Sequence, residues 1–119
     1  MITDDCPIDP TVLRRLARQG GTELLREVVA VFLEHSAAGV ARALAAAEDD
    51  SLDEVRLAAH SLVSAAASVG ARRLQRVAER TESLALDQDW ERIRAVLPEL
   101  VVAARDAARE LEGARYRAA

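Results

Sequence analysis

The fold of this chain is decided by the stretch Ala59-His60-Ser61-Leu62-Val63-Ser64-Ala65-Ala66-Ala67-Ser68-Val69-Gly70. An α-helix turns by about 100° per residue, so a helix through this stretch would place its apolar residues on one stripe that faces a core. The stripe consists of Leu52, Val55, Ala59, Leu62, Ala66 and Val69. His60 lies roughly 130° from the centre of the stripe. It is therefore predicted to face solvent, and the small residues after it leave room for another protein's surface.

The length and composition favour a single helical domain. The chain has 119 residues, of which 50% are hydrophobic but only 3% aromatic, so the core is predicted to consist of Leu, Val and Ala in closely spaced helices. A chain of this length can bury a core without metals or disulfides. The sequence has no alternating apolar run and no Asn-Gly or Asp-Gly turn, so no sheet is predicted.

The charge and the cysteine content limit the classes of partner. The net charge is −4 and the pI about 5.2, which argues against nucleic-acid binding. No apolar run approaches the length of a membrane span, and the acidic N-terminus does not resemble a signal peptide. Cys6 has no second cysteine to pair with and is expected to be inert. This gives weak support for a reducing compartment, so we expect a cytoplasmic monomer that binds neither nucleic acid nor membrane.

Start and stop signals divide the chain into a short helix and four long ones. The start signals are Asp9-Pro10, Thr22, the capping box Ser51-Leu52-Asp53-Glu54, Ala71, and Asp89 before Trp90. The stop signals are Gly20-Gly21, Asp49-Asp50, Gly70, Asp87-Gln88-Asp89 and Gly113. Pro98 is expected to kink the last helix rather than end it, because the apolar spacing resumes beyond it.

The predicted fold is all-α: an antiparallel up-down-up-down four-helix bundle with a short additional N-terminal helix. Short connections between the long helices require antiparallel neighbours. The bundle is expected to span residues 1–119 as one domain, with an irregular lead at 1–8 and a frayed tail at 114–119. Predicted core residues are Phe32, Leu62 and Trp90, and the long helix before His60 is expected to bury Leu24, Val28, Val31, Phe32, Val40 and Leu44. Gly39 within that helix indicates a close helix contact.

The stretch around His60 resembles the signature of the histidine-containing phosphotransfer (HPt) family. That signature is Ala-His, a hydrophobic residue two places after the His, Lys at three, Gly at four, then small residues and a hydrophobic-Gly pair. The matching residues are Ala59-His60, Leu62, Ala65-Ala66-Ala67 and Val69-Gly70. Two positions differ, because Val63 replaces the Lys and Ser64 replaces the Gly. The similarity extends from about residue 12 to about residue 90 and implies the same helical bundle.

The resemblance implies a phosphocarrier rather than an enzyme. His60 would accept a phosphoryl group from a receiver-domain Asp or a sensor histidine kinase and pass it to a response regulator, with Mg²⁺ expected only on the receiver. Arg56, one turn before His60, and Ser64 are candidates to support the phosphoryl group in place of the Lys. Candidate docking residues are Ser61, Ala67, Arg72 and Arg76, of which the two arginines share a basic helix face with Arg80.

Other functions for the histidine have less support in the sequence. A hydrolase would need a nucleophile and an orienting carboxylate in a pocket, and a small bundle filled with Leu and Ala offers no obvious pocket. A metal site needs several ligands, whereas the chain has only His35 and His60 and no Glu-x-x-His pair. His35 is expected to be an ordinary surface residue. One alternative stays open: a degenerate HPt-like adaptor that binds receiver domains without phosphotransfer, because Val63 cannot supply the charge of the Lys.

Overall fold

The structure is a computed structural model that describes residues 7–118, with the side chains of residues 7–113. Within these residues the chain forms helices and no strand. The helices are α1 (Pro10–Glu48), α2 (Leu52–Val69), α3 (Arg72–Leu86) and α4 (Trp90–Ala118). Each helix packs against the next, and α1 also packs against α4, so the predicted all-α four-helix bundle is confirmed. Cys6 and the first six residues of the predicted lead lie outside the described residues.

The predicted short N-terminal helix is the first segment of α1. Gly20 and Gly21 have non-helical dihedral angles, and Gly21 has φ 69° and ψ −165°, a conformation that only glycine adopts without a large cost. The predicted break is therefore confirmed, although it is a kink within one helix. It divides α1 into an N-terminal segment (10–19) and a long segment (22–48).

The N-terminal segment is anchored by Asp9, which is 3% exposed. Its carboxylate accepts a hydrogen bond from the backbone N–H of Thr11 at 2.9 Å and forms an ion pair with Arg72 at the start of α3. The Thr11 hydrogen bond lowers the pKa of Asp9, burial opposes this shift, and the charge of Arg72 adds to it. The predicted cap at Asp9 is confirmed, and it also ties α1 to α3.

The connection between α2 and α3 is shaped around the same segment. Gly70 ends α2 with a left-handed φ of 76°, and its carbonyl oxygen accepts a hydrogen bond from the Asp9 N–H at 2.8 Å. A Cβ atom at Gly70 would lie 2.9 Å from Cγ2 of Val12. Both the backbone conformation and the close contact therefore require glycine at this position.

The predicted core stripe of α2 is confirmed except at Leu52, which is only half-buried, whereas the stripe of α1 is rotated. Val55, Ala59, Leu62, Ala66 and Val69 are all fully buried, with 0% exposure. On α1, Val31 and Leu44 are exposed rather than buried, and the buried residues are Leu25, Val29, Phe32, Ser36, Gly39, Ala43, Ala46 and Ala47. Large side chains were expected on this side, but small ones allow the close approach of α2.

Gly39 lies at a close contact between α1 and α2. A Cβ atom at this position would lie 2.8 Å from Cδ2 of Leu62, so the predicted close contact is confirmed. Leu62 and Phe32 are buried as predicted, with 0% and 1% exposure. Trp90 is only half-buried, and the Arg94 guanidinium lies over its ring at 4.9 Å from the centroid. Half-burial suits an amphipathic ring at the edge of the bundle.

The capping box before α2 is only half formed. Oγ of Ser51 accepts from the N–H of Glu54 at 3.4 Å, as predicted. The N–H of Ser51 donates instead to the Ala46 carbonyl at 2.9 Å, and the Glu54 carboxylate pairs with Arg42 at 3.6 Å. The backbone N–H of Ser51, which Glu54 was expected to bind, is therefore already hydrogen-bonded to the end of α1.

Helix α4 is longer than predicted. It is capped by Asp89, which accepts from the Arg92 N–H at 3.1 Å, and it continues through Pro98. The predicted end at Gly113 is wrong, because α4 extends to Ala118 and Gly113 does not take the left-handed φ typical of a helix-ending glycine. Of the predicted frayed tail, residues 114–118 are thus helical, and Ala119 lies outside the described residues.

Helix α1 is long and apolar enough, by length and composition, to cross a membrane. The expectation that no apolar run reaches this length is therefore wrong. A single helix of this kind is weak evidence for a membrane span, since core helices pass the same test. Here α1 contributes Leu25, Val29 and Phe32 to the core of the bundle.

Candidate functional site

His60 lies on the solvent-facing side of α2, as predicted. Its side chain is 66% exposed, whereas its neighbour Ala59 and the following Leu62 are completely buried. The helix is fixed by its buried stripe, by Ser51 at its start and by Gly70 at its end. An exposed imidazole is thus held on a rigid support.

The imidazole is oriented by a carboxylate from the neighbouring helix. Nδ1 of His60 lies 2.8 Å from Oε2 of Glu82 on α3, and Glu82 is half-buried, with 24% exposure. An ionised carboxylate can only accept, so Nδ1 carries the proton and donates it. Nε2 is then the nitrogen with the free lone pair. Within residues 7–113 it has no hydrogen-bond partner.

The role of Glu82 was not predicted from the sequence. His60 lies ten residues before Gly70 and Glu82 twelve residues after it. Residues at similar distances from a tight turn lie opposite each other in antiparallel helices. A search for carboxylates at such mirrored positions would have found Glu79 and Glu82, and the helical rotation would then have been needed to choose between them.

The two candidates to support a phosphoryl group flank His60 on α2. Arg56, one turn before, is half-buried and makes no hydrogen bond or ion pair with the described residues. Ser64, one turn after, is exposed. Val63, at the position of the family's Lys, is half-buried and packs against the core. On the flank that faces α3, His60 therefore has a cation, Arg56, one turn before it and an apolar residue, Val63, in the turn after it.

An open groove runs between α2 and α1 on the other flank of His60. It has a volume of about 380 Å³ and is lined by Val31, Phe32, His35, Ser61, Ser64, Ala65 and Ser68. Of the predicted docking residues, Ser61 thus lines the groove, and Ala67 is exposed two turns beyond His60. His35 is exposed and faces the groove from α1, closer to the site than its sequence surroundings indicated.

The basic face of α3 lies away from His60. Arg72 and Arg76 precede Glu82 by ten and six residues, which places them about 80° and 120° around the helix from it. Arg72 pairs with Asp9, Arg80 pairs with Glu99 of α4 at 2.8 Å, and Arg76 also has a partner. The arginines of this face thus largely interact with other residues of the same chain. The role of Arg72 and Arg76 in docking stays a prediction.

The described side chains offer no ready metal site. Within residues 7–113 no group of three or more His, Cys, Asp or Glu side chains could hold a metal ion. What they offer instead is one oriented imidazole with a free nitrogen on an exposed helix face. Such a group can act as a nucleophile or as a general base toward a reactant that a partner brings to it.

The described residues thus form an all-α bundle whose exposed His60 imidazole is held by a carboxylate of the neighbouring helix. The model of the family described as Hpt domain matches residues 27–113, well over half of the chain. The chain therefore belongs to the Hpt domain family, the phosphocarrier modules of two-component systems, which are not catalytic domains. Comparisons with curated proteins and with solved structures gave no significant match.

Proposed function

We propose that this protein accepts a phosphoryl group on Nε2 of His60 and passes it to the Asp of a response-regulator receiver domain. The 2.8 Å bond from Nδ1 of His60 to Glu82 carries the proposal. It keeps the proton on Nδ1 and leaves the Nε2 lone pair free for attack. His35, the other histidine, has no carboxylate partner among the described residues.

The transfer step asks little chemistry of the bundle. Nε2 attacks the phosphorus of an aspartyl phosphate on a receiver; the P–N bond forms, the P–O bond breaks, and the Asp leaves as a carboxylate. The proton stays on Nδ1, where Glu82 balances the positive charge of the phosphorylated ring. Reversal of the same step delivers the group to the next receiver. The Mg²⁺ that assists phosphoryl transfer would be bound by the receiver.

We place the docking face on α2 and on the groove between α2 and α1. Small or short side chains at Ser61, Ser64 and Ala67 allow a receiver to approach His60 closely. Exposed Val31 and half-buried Val28 on α1 add apolar surface beside them. Arg72 is assigned a smaller part than the sequence indicated, because it holds Asp9.

Labelling with phosphoramidate, a small phosphodonor for histidine, tests the phosphoacceptor directly. Wild type and the matched control His35→Gln should acquire an acid-labile label, whereas His60→Gln should acquire none. The helical circular dichroism of His60→Gln should be unchanged, since an exposed side chain contributes little to stability. A label that persists in His60→Gln would show that the acceptor is elsewhere.

A second pair of variants tests the docking face. Ala67→Arg should slow phosphotransfer from a phosphorylated receiver without changing the rate of labelling by phosphoramidate, because only the receiver needs the surface. Ala95→Arg is the matched control, since Ala95 is exposed on α4, and α4 does not contact α2. Equal slowing by the two variants would remove α2 from the docking face.

The degenerate adaptor is the second candidate, and Val63 is the observation that favours it. Val63 offers no charge to a phosphoryl group, and its packing against the core turns part of this flank apolar. An adaptor would bind receivers with the same footprint, including sensitivity to Ala67→Arg, yet His60 would remain unlabelled by phosphoramidate and by phosphorylated receivers.

A further inference from the structure

We propose that Arg56 binds and neutralises the phosphoryl group on His60, an inference that rests on the proposed function. Arg56 is the only arginine on α2, which has no lysine, and it lies one turn before His60. It is half-buried and makes no hydrogen bond or ion pair with the described residues. A partly buried arginine without a partner is available to bind an anion.

The phosphorylated state creates a need for such a cation. A phosphoryl group adds up to about two negative charges to a ring whose other nitrogen is bound to the Glu82 carboxylate. The proton on Nδ1 offsets only part of this charge. A cation beside the ring would stabilise the phosphorylated state, and Val63 on the following turn cannot provide one.

The geometry of α2 brings Arg56 to the correct side of the ring. Side chains of a helix lean toward its N-terminus, so the imidazole lies over the turn that contains Arg56. Arg56 is about 40° around the helix from His60, on the same flank as Val63. The planar guanidinium can then donate two parallel hydrogen bonds to phosphoryl oxygens.

The other arginines near His60 already have partners. Glu54, the nearest acidic candidate to hold Arg56, pairs instead with Arg42. On α3, Arg73 pairs with Asp106 at 3.4 Å, and Arg72, Arg76 and Arg80 all have partners. Among the arginines of α2 and α3, Arg56 is thus the one that has no partner within residues 7–113.

The test measures the rate of His60 labelling by phosphoramidate in the full chain. His60 displaces ammonia from this donor, so no receiver is needed and docking does not enter the measurement. Arg56→Met keeps the apolar stem but removes the charge, and should slow labelling by about ten- to a hundredfold, as expected for the loss of a charge-assisted hydrogen bond. Arg56→Lys should retain part of the rate.

Two controls separate a binding role from a structural one. Arg105→Met removes an exposed arginine on α4 that has no partner among the described residues, and should leave the rate unchanged. In a Glu82→Gln background the slowing caused by Arg56→Met should shrink, because the opposing carboxylate charge is gone. If Arg56 had only a structural role, Arg56→Met would slow labelling by the same factor with Glu82 and with Gln at position 82. That result would overturn the inference.

The outcomes distinguish this inference from the function on which it rests. If wild type is labelled on His60 but Arg56→Met is labelled within about twofold of the wild-type rate, under roughly 0.5 kcal/mol, the role of Arg56 is overturned and the proposed function stands. If His60 of wild type is not labelled at all, both are overturned.

Discussion

The contact between α1 and α2 differs in chemistry from the contact between α3 and α4. At the first, Gly39 lets the helices approach until Leu62 touches the α1 backbone region, and Phe32 is fully buried nearby. At the second, two ion pairs join the helices, Arg73 with Asp106 and Arg80 with Glu99. The side chains of Arg80 and Glu99 are both about half exposed. One contact depends on shape, and the other adds exposed charge to a shared core.

The difference indicates where the bundle is rigid. Close apolar packing is sensitive to the loss or gain of single carbon atoms, whereas exposed ion pairs contribute about 0–1 kcal/mol each. His60 is carried by α2, one of the two helices of this close apolar contact. We infer that positional precision is concentrated on the α1–α2 side, where the imidazole must be presented to a partner.

The largest expected effect comes from truncating the apolar contact. Leu62→Ala and Phe32→Ala should each lower the free energy of unfolding by about 2–5 kcal/mol, through lost burial and the cavity left behind. Leu86→Ala, at a side chain that is 65% exposed, is the control and should change it by less than about 0.5 kcal/mol. Urea denaturation measures all three, and equal small effects would show that the two contacts do not differ.

A smaller effect is expected from overfilling the same contact. Gly39→Ala should destabilise the bundle by up to about 2 kcal/mol, because overpacking costs roughly 1–3 kcal/mol and the better helix propensity of Ala returns about 1. In the Leu62→Ala background the added methyl has space, so the same change should be neutral or stabilising. Gly113→Ala, with no atom within 4 Å of the added Cβ, is the matched control.

Asp9 forms an intermediate case, since a buried carboxylate pairs with exposed Arg72. Its pKa is lowered in the folded state, mainly by the Thr11 hydrogen bond. The stabilisation is thus complete above the ordinary Asp pKa of about 3.9 and is lost as the pH falls through the lower folded value. Thermal unfolding should show Asp9→Asn less stable than wild type at neutral pH, with the gap closing below about pH 4.

The reverse trend would contradict that account of Asp9. If the difference in Tm between wild type and Asp9→Asn widened on acidification, the carboxylate would be destabilised rather than stabilised in the folded state.

The smallest effect is expected at the α3–α4 ion pairs. Arg80→Ala and Glu99→Ala should each cost about 0.2–1 kcal/mol, and their coupling in a double-mutant cycle should weaken as salt is added. Arg105→Ala is the control, since Arg105 is an exposed arginine on α4, the helix that carries Glu99. A coupling energy well above about 1 kcal/mol would mean that the ion pairs stabilise the bundle more than exposed pairs do, and that the two contacts differ less than proposed.

The parts of the site that depend on one helix were predictable. The exposure of His60 follows from the apolar stripe of α2, because residues on a helix are related by a constant rotation. The position of Glu82 did not follow, since it depends on the register between two helices. The rotation of α1 was predicted wrongly for a related reason. Leu44 and Val31 are larger than Ala43 and Gly39, but the smaller residues face α2 because they permit closer packing.

The sequence by itself determined where the helices begin, where α1 kinks and α2 ends, which face of α2 is buried, and that His60 is exposed. These features arise from caps, glycines and periodicity that act within one or two turns. Only the tertiary structure decided that Glu82 orients the imidazole, that the arginines of α3 pair with carboxylates elsewhere in the bundle, and that Arg56 has no partner among the described residues. Those outcomes depend on how side chains far apart in the chain pack together, and packing selects one register and rotation among several that local patterns allow.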